Sequence, residues 1–150
     1  MLPSRILVVD SSPDSRGVLC GLLEELGYKR MDTKQKPWQL PAFLTFDDGE
    51  YAFTPDGDGA IQFVAKHDFG RKDLVVTGMF LSFRQTPMSG TNILTGVKNF
   101  YSSESKVVVV LPNPVLRRDA MNFDGVLGNP VTLEALRELF RRLFPEEGTP

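Results

Sequence analysis

Two runs of consecutive apolar, mostly β-branched residues stand out along the chain: Ile6-Leu7-Val8-Val9 and Val107-Val108-Val109-Val110-Leu111. Neither alternates with polar residues, so each predicts a strand covered on both faces. Leu74-Val75-Val76 and Gly125-Val126-Leu127 give the same signal over a shorter length. Between these runs the apolar spacing becomes helical. Ser12-Pro13 supplies a cap and a first-turn proline; Val18, Leu19, Leu22, Leu23 and Leu26 follow at helical intervals, and Gly27 closes the helix. Ala60, Ile61, Phe63 and Val64 predict a second, shorter helix after Asp56-Gly57. A third begins near Ser89 with Ile93, Leu94, Val97 and Phe100 on one face, and a short fourth lies around Leu116 to Met121. The last starts at Thr132 and carries Leu133, Leu136, Leu139, Phe140 and Leu143.

Strands alternating with helices imply an α/β fold: a doubly wound parallel sheet with helices on both sides. Residues 31–55 exceed what that alternation needs. Ala42-Phe43-Leu44-Thr45-Phe46 and Tyr51-Ala52-Phe53-Thr54 flank Asp47-Asp48-Gly49-Glu50, a pattern that reads as an inserted hairpin near the second strand. Residues 1–145 are thus expected to form one domain, with 146–150 a tail or the start of a linker.

Composition narrows the chemistry. The 150 residues are 41% hydrophobic and 24% charged, enough for an ordinary core. Seventeen Lys and Arg against nineteen Asp and Glu leave a net charge of −2, which argues against nucleic acid or an anionic membrane as partner. A single cysteine, Cys20, allows no internal disulfide, and a single histidine, His67, allows no Cys/His zinc site. No run approaches about 20 apolar residues, and Met1-Leu2-Pro3-Ser4-Arg5 does not open like a signal peptide, so a cytoplasmic location is expected. The glycines at 57, 59 and 125 make no phosphate loop. Nothing here calls for a cofactor, a metal or enzymatic activity.

The order of the pieces resembles the receiver domain of two-component response regulators over almost the whole chain. Arg5 to Asp10 with Ser11 to Arg16 is similar to the family's first strand, acidic pair and helix start, and Asp56-Gly57 through Ala60 to its second-helix entry. Asp73 to Met79 resembles the strand that ends in the phosphorylated aspartate, with Met88-Ser89-Gly90 as the turn after it. Lys106 to Leu111 resembles the fourth strand, and Gly125 to Val131 the fifth strand with its Lys-Pro step. The resemblance implies a flavodoxin-like sheet of five strands in the order 2-1-3-4-5 and a shortened fourth helix.

It also implies a phosphorylation pocket, and there this chain departs from the family. Gly78 stands where the acceptor aspartate belongs, and Asp10 keeps its place but has Ser11 as partner. Magnesium needs several oxygen ligands. Asn129 replaces the lysine that neutralises phosphoryl oxygens, Leu111 replaces the hydroxyl residue, and Val126 replaces the aromatic switch. The pattern resembles pseudo-receivers: a signalling or scaffold domain that works without phosphorylation, through another signalling protein or through self-association. The alternative is a small-molecule-responsive domain, with a ligand in the pocket vacated at Gly78 and Asn129 and the loop Phe80 to Pro87 as a lid. Retention of Pro130 implies a cis bond after Asn129, as in the family's Lys-Pro step.

Other residues have plainer readings. Asp10 is expected to bond neighbouring backbone N–H groups, Cys20 to fill core, and His67 to sit half-exposed late in the second helix. Ser11 and Thr77 should be sunk at strand ends, out of reach of a kinase. Arg117-Arg118 reads as a solvated helix face or as a grip on an acidic partner. Trp38 is either an interface anchor or the plug that packs the insertion onto the domain. In receiver-like folds the face of the fourth helix, fifth strand and fifth helix is the usual contact surface. There Leu139 and Phe144 are expected at the exposed edges of the last helix's apolar arc, with Val126 and Arg117 beside them.

Overall fold

The run Ile6–Val9 is buried because it lies in the middle of a sheet, as strand β1 (Arg5–Val9). The computed structural model describes residues 2–31, 46–54, 57–78, 80–83, 86–101, 104–111, 122–128 and 130–145. After β1 come α1 (Pro13–Glu25), β2 (Lys29–Arg30), β3 (Glu50–Thr54), α2 (Gly57–Lys66) and β4 (Asp73–Gly78). Then follow β5 (Phe80–Phe83), β6 (Thr86–Ser89), α3 (Gly90–Gly96) running into a π-helical turn (Val97–Tyr101), β7 (Lys106–Leu111), β8 (Gly125–Gly128) and α4 (Leu133–Leu143). The main sheet has the order β2-β3-β1-β4-β7-β8, and its neighbours are all parallel. The expected 2-1-3-4-5 order is present as β3-β1-β4-β7-β8, and the two-residue β2 adds a sixth strand at the edge.

Residues 50–54 are not an arm of an inserted hairpin. They form the second strand of the sheet, in parallel register with β1 from Arg5 opposite Glu50 to Val9 opposite Thr54. The reason is two-sided burial: pairing with β1 sends Tyr51 into the core on one face and Ala52 into the core on the other. Of the other expected arm only Phe46 is described, and it packs between Phe63 and Phe69. The remainder of that arm, with Trp38, lies outside the described residues. A hairpin does exist, but after β4. There β5 and β6 pair antiparallel, from Phe80 opposite Ser89 to Phe83 opposite Thr86, in the stretch expected to be a lid-like loop. The expected fourth helix, with Arg117, also lies outside the described residues, as do Asn129 and the tail.

The alternating side chains of the strands feed two cores. Leu7, Val9, Val75, Val107 and Val109 meet Ala60, Phe63 and Val64 of α2 and Ile93 and Leu94 of α3. Ile6, Val8, Leu74, Val76, Val108 and Val110 meet Leu19, Cys20 and Leu23 of α1 and Leu136, Leu139 and Phe140 of α4. Helix α1 begins as its sequence requires, with Ser12 Oγ accepting from Ser15 N and Pro13 in the first turn, and it is followed by Gly27 at φ +99°. Thr132 caps α4 in the same way through Ala135 N.

The last helix corrects an expectation. Leu139 and Phe144 are buried, at 4% and 7% exposure, and do not form an exposed rim. Gly125 of β8 explains the depth of the contact. A Cβ at that position would stand 2.5 Å from Leu139 Cδ1, so the missing side chain is the space that Leu139 fills. Phe144 closes the same core, edge-on to Phe140 at 6.4 Å. No helix among the described residues is long and apolar enough to cross a membrane.

Candidate functional site

The strands β1, β4, β7 and β8 end together, and their register decides what meets there. Val9 lies opposite Thr77, so Asp10 and Gly78 leave the sheet side by side. Gly78 is also opposite Val110, and Leu111 is opposite Gly128. The register thus brings Asp10, with Ser11 next to it, Gly78 and Leu111 to one end of the sheet. Carboxyl ends of parallel strands, where loops to opposite faces diverge, are where open α/β sheets bind ligands.

The chemistry of that edge is sparse. Asp10 is 9% exposed, and its Oδ1 accepts a hydrogen bond from Ser12 N at 2.9 Å, so the carboxylate orders the turn into α1. Its own N–H donates to Thr54 O at 3.1 Å. Its carbonyl accepts from Arg16 Nη1 at 3.0 Å. Thr77 is fully buried and donates through Oγ1 to Gly78 O at 2.9 Å. Ser11 is half-buried, and Leu111 is 3% exposed. Among the described residues no three His, Cys, Asp or Glu side chains are placed to hold a metal ion.

Arg16 has a role here that spacing did not reveal. Its guanidinium lies over the Phe53 ring at 5.0 Å while it holds the Asp10 carbonyl, and Arg30 approaches the same ring at 5.7 Å. The signal was available only in pairing: Phe53 follows Ala52 on a strand whose partner the sequence does not name. Cys20 behaves as expected. It is buried, and desolvation pushes its thiol up to about 11, which leaves no nucleophilic thiolate at neutral pH.

No family model matches the chain, and no curated protein is similar to it in sequence. Solved structures do match. The receiver domain of a sensor histidine kinase from Pseudomonas aeruginosa, with a magnesium ion coordinated in its active-site cleft, superposes with a TM-score of 0.64 at 15% identity, over 94% of this chain and 97% of that one. A response regulator from Chloroflexus aurantiacus gives a TM-score of 0.66 at 14% identity, over 94% and 97%. The receiver domain of a Saccharomyces cerevisiae response regulator, crystallised with a histidine phosphotransfer protein, gives 0.63 at 16%, over 95% and 90%. The chain has the receiver fold.

Within the receiver fold, the magnesium of the Pseudomonas neighbour can be tested against the residues present here. One carboxylate, Asp10, is available, and one of its oxygens already serves Ser12 N. Its neighbour is Ser11, and Gly78 offers a backbone carbonyl that already accepts from Thr77. Magnesium takes six oxygens in near-octahedral geometry, usually one or two carboxylates together with waters and phosphate oxygens, and here the single carboxylate has one oxygen committed and no phosphoryl acceptor beside it. The described residues at this edge do not fit it.

Proposed function

We propose that this receiver-fold domain transmits signals through protein contacts, without phosphoryl transfer at its strand ends. The observation that carries the reading is Gly78. It ends β4 directly beside Asp10, and glycine has no side-chain oxygen to take a phosphoryl group. The surroundings agree: Asp10 is engaged by the turn into α1, and Leu111 is apolar and buried. Losing acceptor, metal ligands and neutralising charge together removes the chemistry, whereas losing one would only slow it. The fold class supports a place in two-component signalling, and the yeast neighbour's complex with a phosphotransfer protein shows a receiver fold used as a docking module.

The contact surface we assign is the β8 edge. Val126 is 41% exposed and stands on the face of β8 opposite Leu127, away from α4. With Leu139 and Phe144 in the core, Val126 is the apolar contact left on that strand; Arg117 and Trp38 stay candidates on sequence grounds alone. The test is incubation with acetyl phosphate and magnesium, read by intact mass and by thermal unfolding. Unchanged mass and unchanged melting temperature are expected. A phosphoryl group on any carboxylate overturns the reading, and a saturable thermal shift without added mass points to a small ligand at the vacated edge.

A further inference from the structure

His67 lies at the other end of the sheet, where the strands begin, one residue past the end of α2; the residue is half-buried, as expected, but its ring sits among aromatic side chains. Its ring is 4.2 Å from the Phe63 ring and 5.8 Å from that of Phe46, and Phe69 stacks on Phe46 at 6.0 Å. The turn that places it is closed by Asp68 at φ +53° and by Phe69 N donating to Val64 O. Its Nε2 is buried and has no hydrogen-bond partner, the one buried side-chain nitrogen or oxygen among the described residues in that state. Arg5 of β1 spans the same cluster. It lies 5.1 Å from the Phe69 ring and 5.6 Å from Phe46, and its Nη1 donates to Phe46 O at 3.4 Å.

We propose that this aromatic clasp is a pH-sensitive latch: when His67 takes up a proton, the segment Phe46–Gly49 that leads into β3 lets go while the sheet stays intact. A neutral imidazole tolerates an unpartnered nitrogen at modest cost, but an imidazolium there would carry a buried N–H with no acceptor. The neighbouring charges do not help it. Arg5 repels it, and the Asp73 carboxylate of β4 is bound by Arg5 Nε and Nη2 and by Gly70 N. Glu50 of β3 is bound to Asp47 N. Asp48 and Asp68 act on Arg5, and Lys66 on α2 adds another positive charge. Nε2 is closed off from solvent, so hydrating it requires its surroundings to move. Of the two rings against His67, Phe63 belongs to α2, whereas Phe46 is on a segment without secondary structure, held by Gly49 N on Ser4 O, by Lys29 N on Gly49 O and by Arg5 on the Phe46 carbonyl.

Burial, then Arg5, lowers the pKa of His67 below the 6.5 of an exposed histidine. A lowered histidine pKa means that docking is fully stable above the ordinary value and weakens as pH falls below it. The chain holds one histidine, so its ring protons titrate without ambiguity. In the full chain, nuclear magnetic resonance should place the His67 midpoint below 6.5. Amide-exchange protection at Gly49 and Glu50 should fall several-fold between about pH 7.5 and about pH 5.5, while β1, β4 and β7 keep theirs. His67→Phe and His67→Gln should each hold protection constant over that window. A midpoint at or above the ordinary value, as a cation–π cage would produce, overturns the proposal. So does protection loss that persists in a folded variant, which would put the effect on Asp48, Asp68 or Asp73.

Discussion

Changing Asp73 to alanine tests how the two central strands are tied at their starts. Arg5 and Asp73 are opposite each other in the β1–β4 register, and the guanidinium meets the carboxylate as a fork, Nε to Oδ1 at 3.0 Å and Nη2 to Oδ2 at 2.8 Å. The side chains are 16% and 7% exposed, so both charges are largely out of water. Asp73→Ala would strand the guanidinium among Phe46 and Phe69 and leave Gly70 N without its 2.8 Å acceptor. Breaking a buried pair from one side costs about 3–5 kcal/mol, and the residual exposure of Arg5 puts this case near the lower end, about 3–4 kcal/mol. At about 2–4 °C per kcal/mol for a domain of this size, the melting temperature should fall by about 6–16 °C. Urea unfolding of Asp73→Ala, Arg5→Met and the double variant Arg5→Met with Asp73→Ala completes the cycle. The double variant, which strands no charge, should cost less than Asp73→Ala alone. A loss under about 1 kcal/mol in Asp73→Ala would mean an exposed pair and refute the argument.

Two further changes probe helix environments. Leu139→Ala and Phe144→Ala should each destabilise by about 2–5 kcal/mol in urea, because both side chains fill core beside Gly125 and Phe140; a near-neutral result would return them to the surface. Gly17→Ala and Gly21→Ala should each stabilise by about 0.5–1 kcal/mol, since both glycines lie inside α1 with nothing within 4 Å of an added Cβ. Destabilisation in calorimetry would contradict the open space seen there.

What was legible in the sequence was what a short window contains. Uninterrupted apolar runs marked β1, β4 and β7 because two-sided burial needs no partner to be recognised, and Ser12-Pro13 and Thr132 marked helix starts by local capping chemistry. Asp10 and Leu111 could be placed at one end of the sheet for the same reason, as the residue after one run and the last residue of another, whereas Gly78, two positions beyond Val76, was placed by the resemblance to receiver domains. Strand β3 was misread because Tyr51 to Thr54 beside an Asp-Gly turn is as good a hairpin arm as a sheet strand, and only its partner decides. The burial of Leu139 was illegible from helical periodicity, which cannot see the gap left by Gly125 on another element. Arg5 with Asp73 spans 68 positions, and the enclosure of His67 depends on Phe46 arriving from a distant segment.

The shape of the outer strands has a consequence for solubility. A parallel sheet ends in two rows of unpaired N–H and C=O groups, and a long flat row is a template on which a second chain can add a strand. Here one border is β2, only two residues long, with both Lys29 and Arg30 exposed. The other border, β8, is four residues long and has glycine at each end. A foreign strand docking on β2 would find space for little more than one pair of hydrogen bonds beside two like charges, and on β8 it would meet four residues of which two have no side chain to pack against. The main sheet thereby offers little purchase for sideways growth into neighbouring molecules.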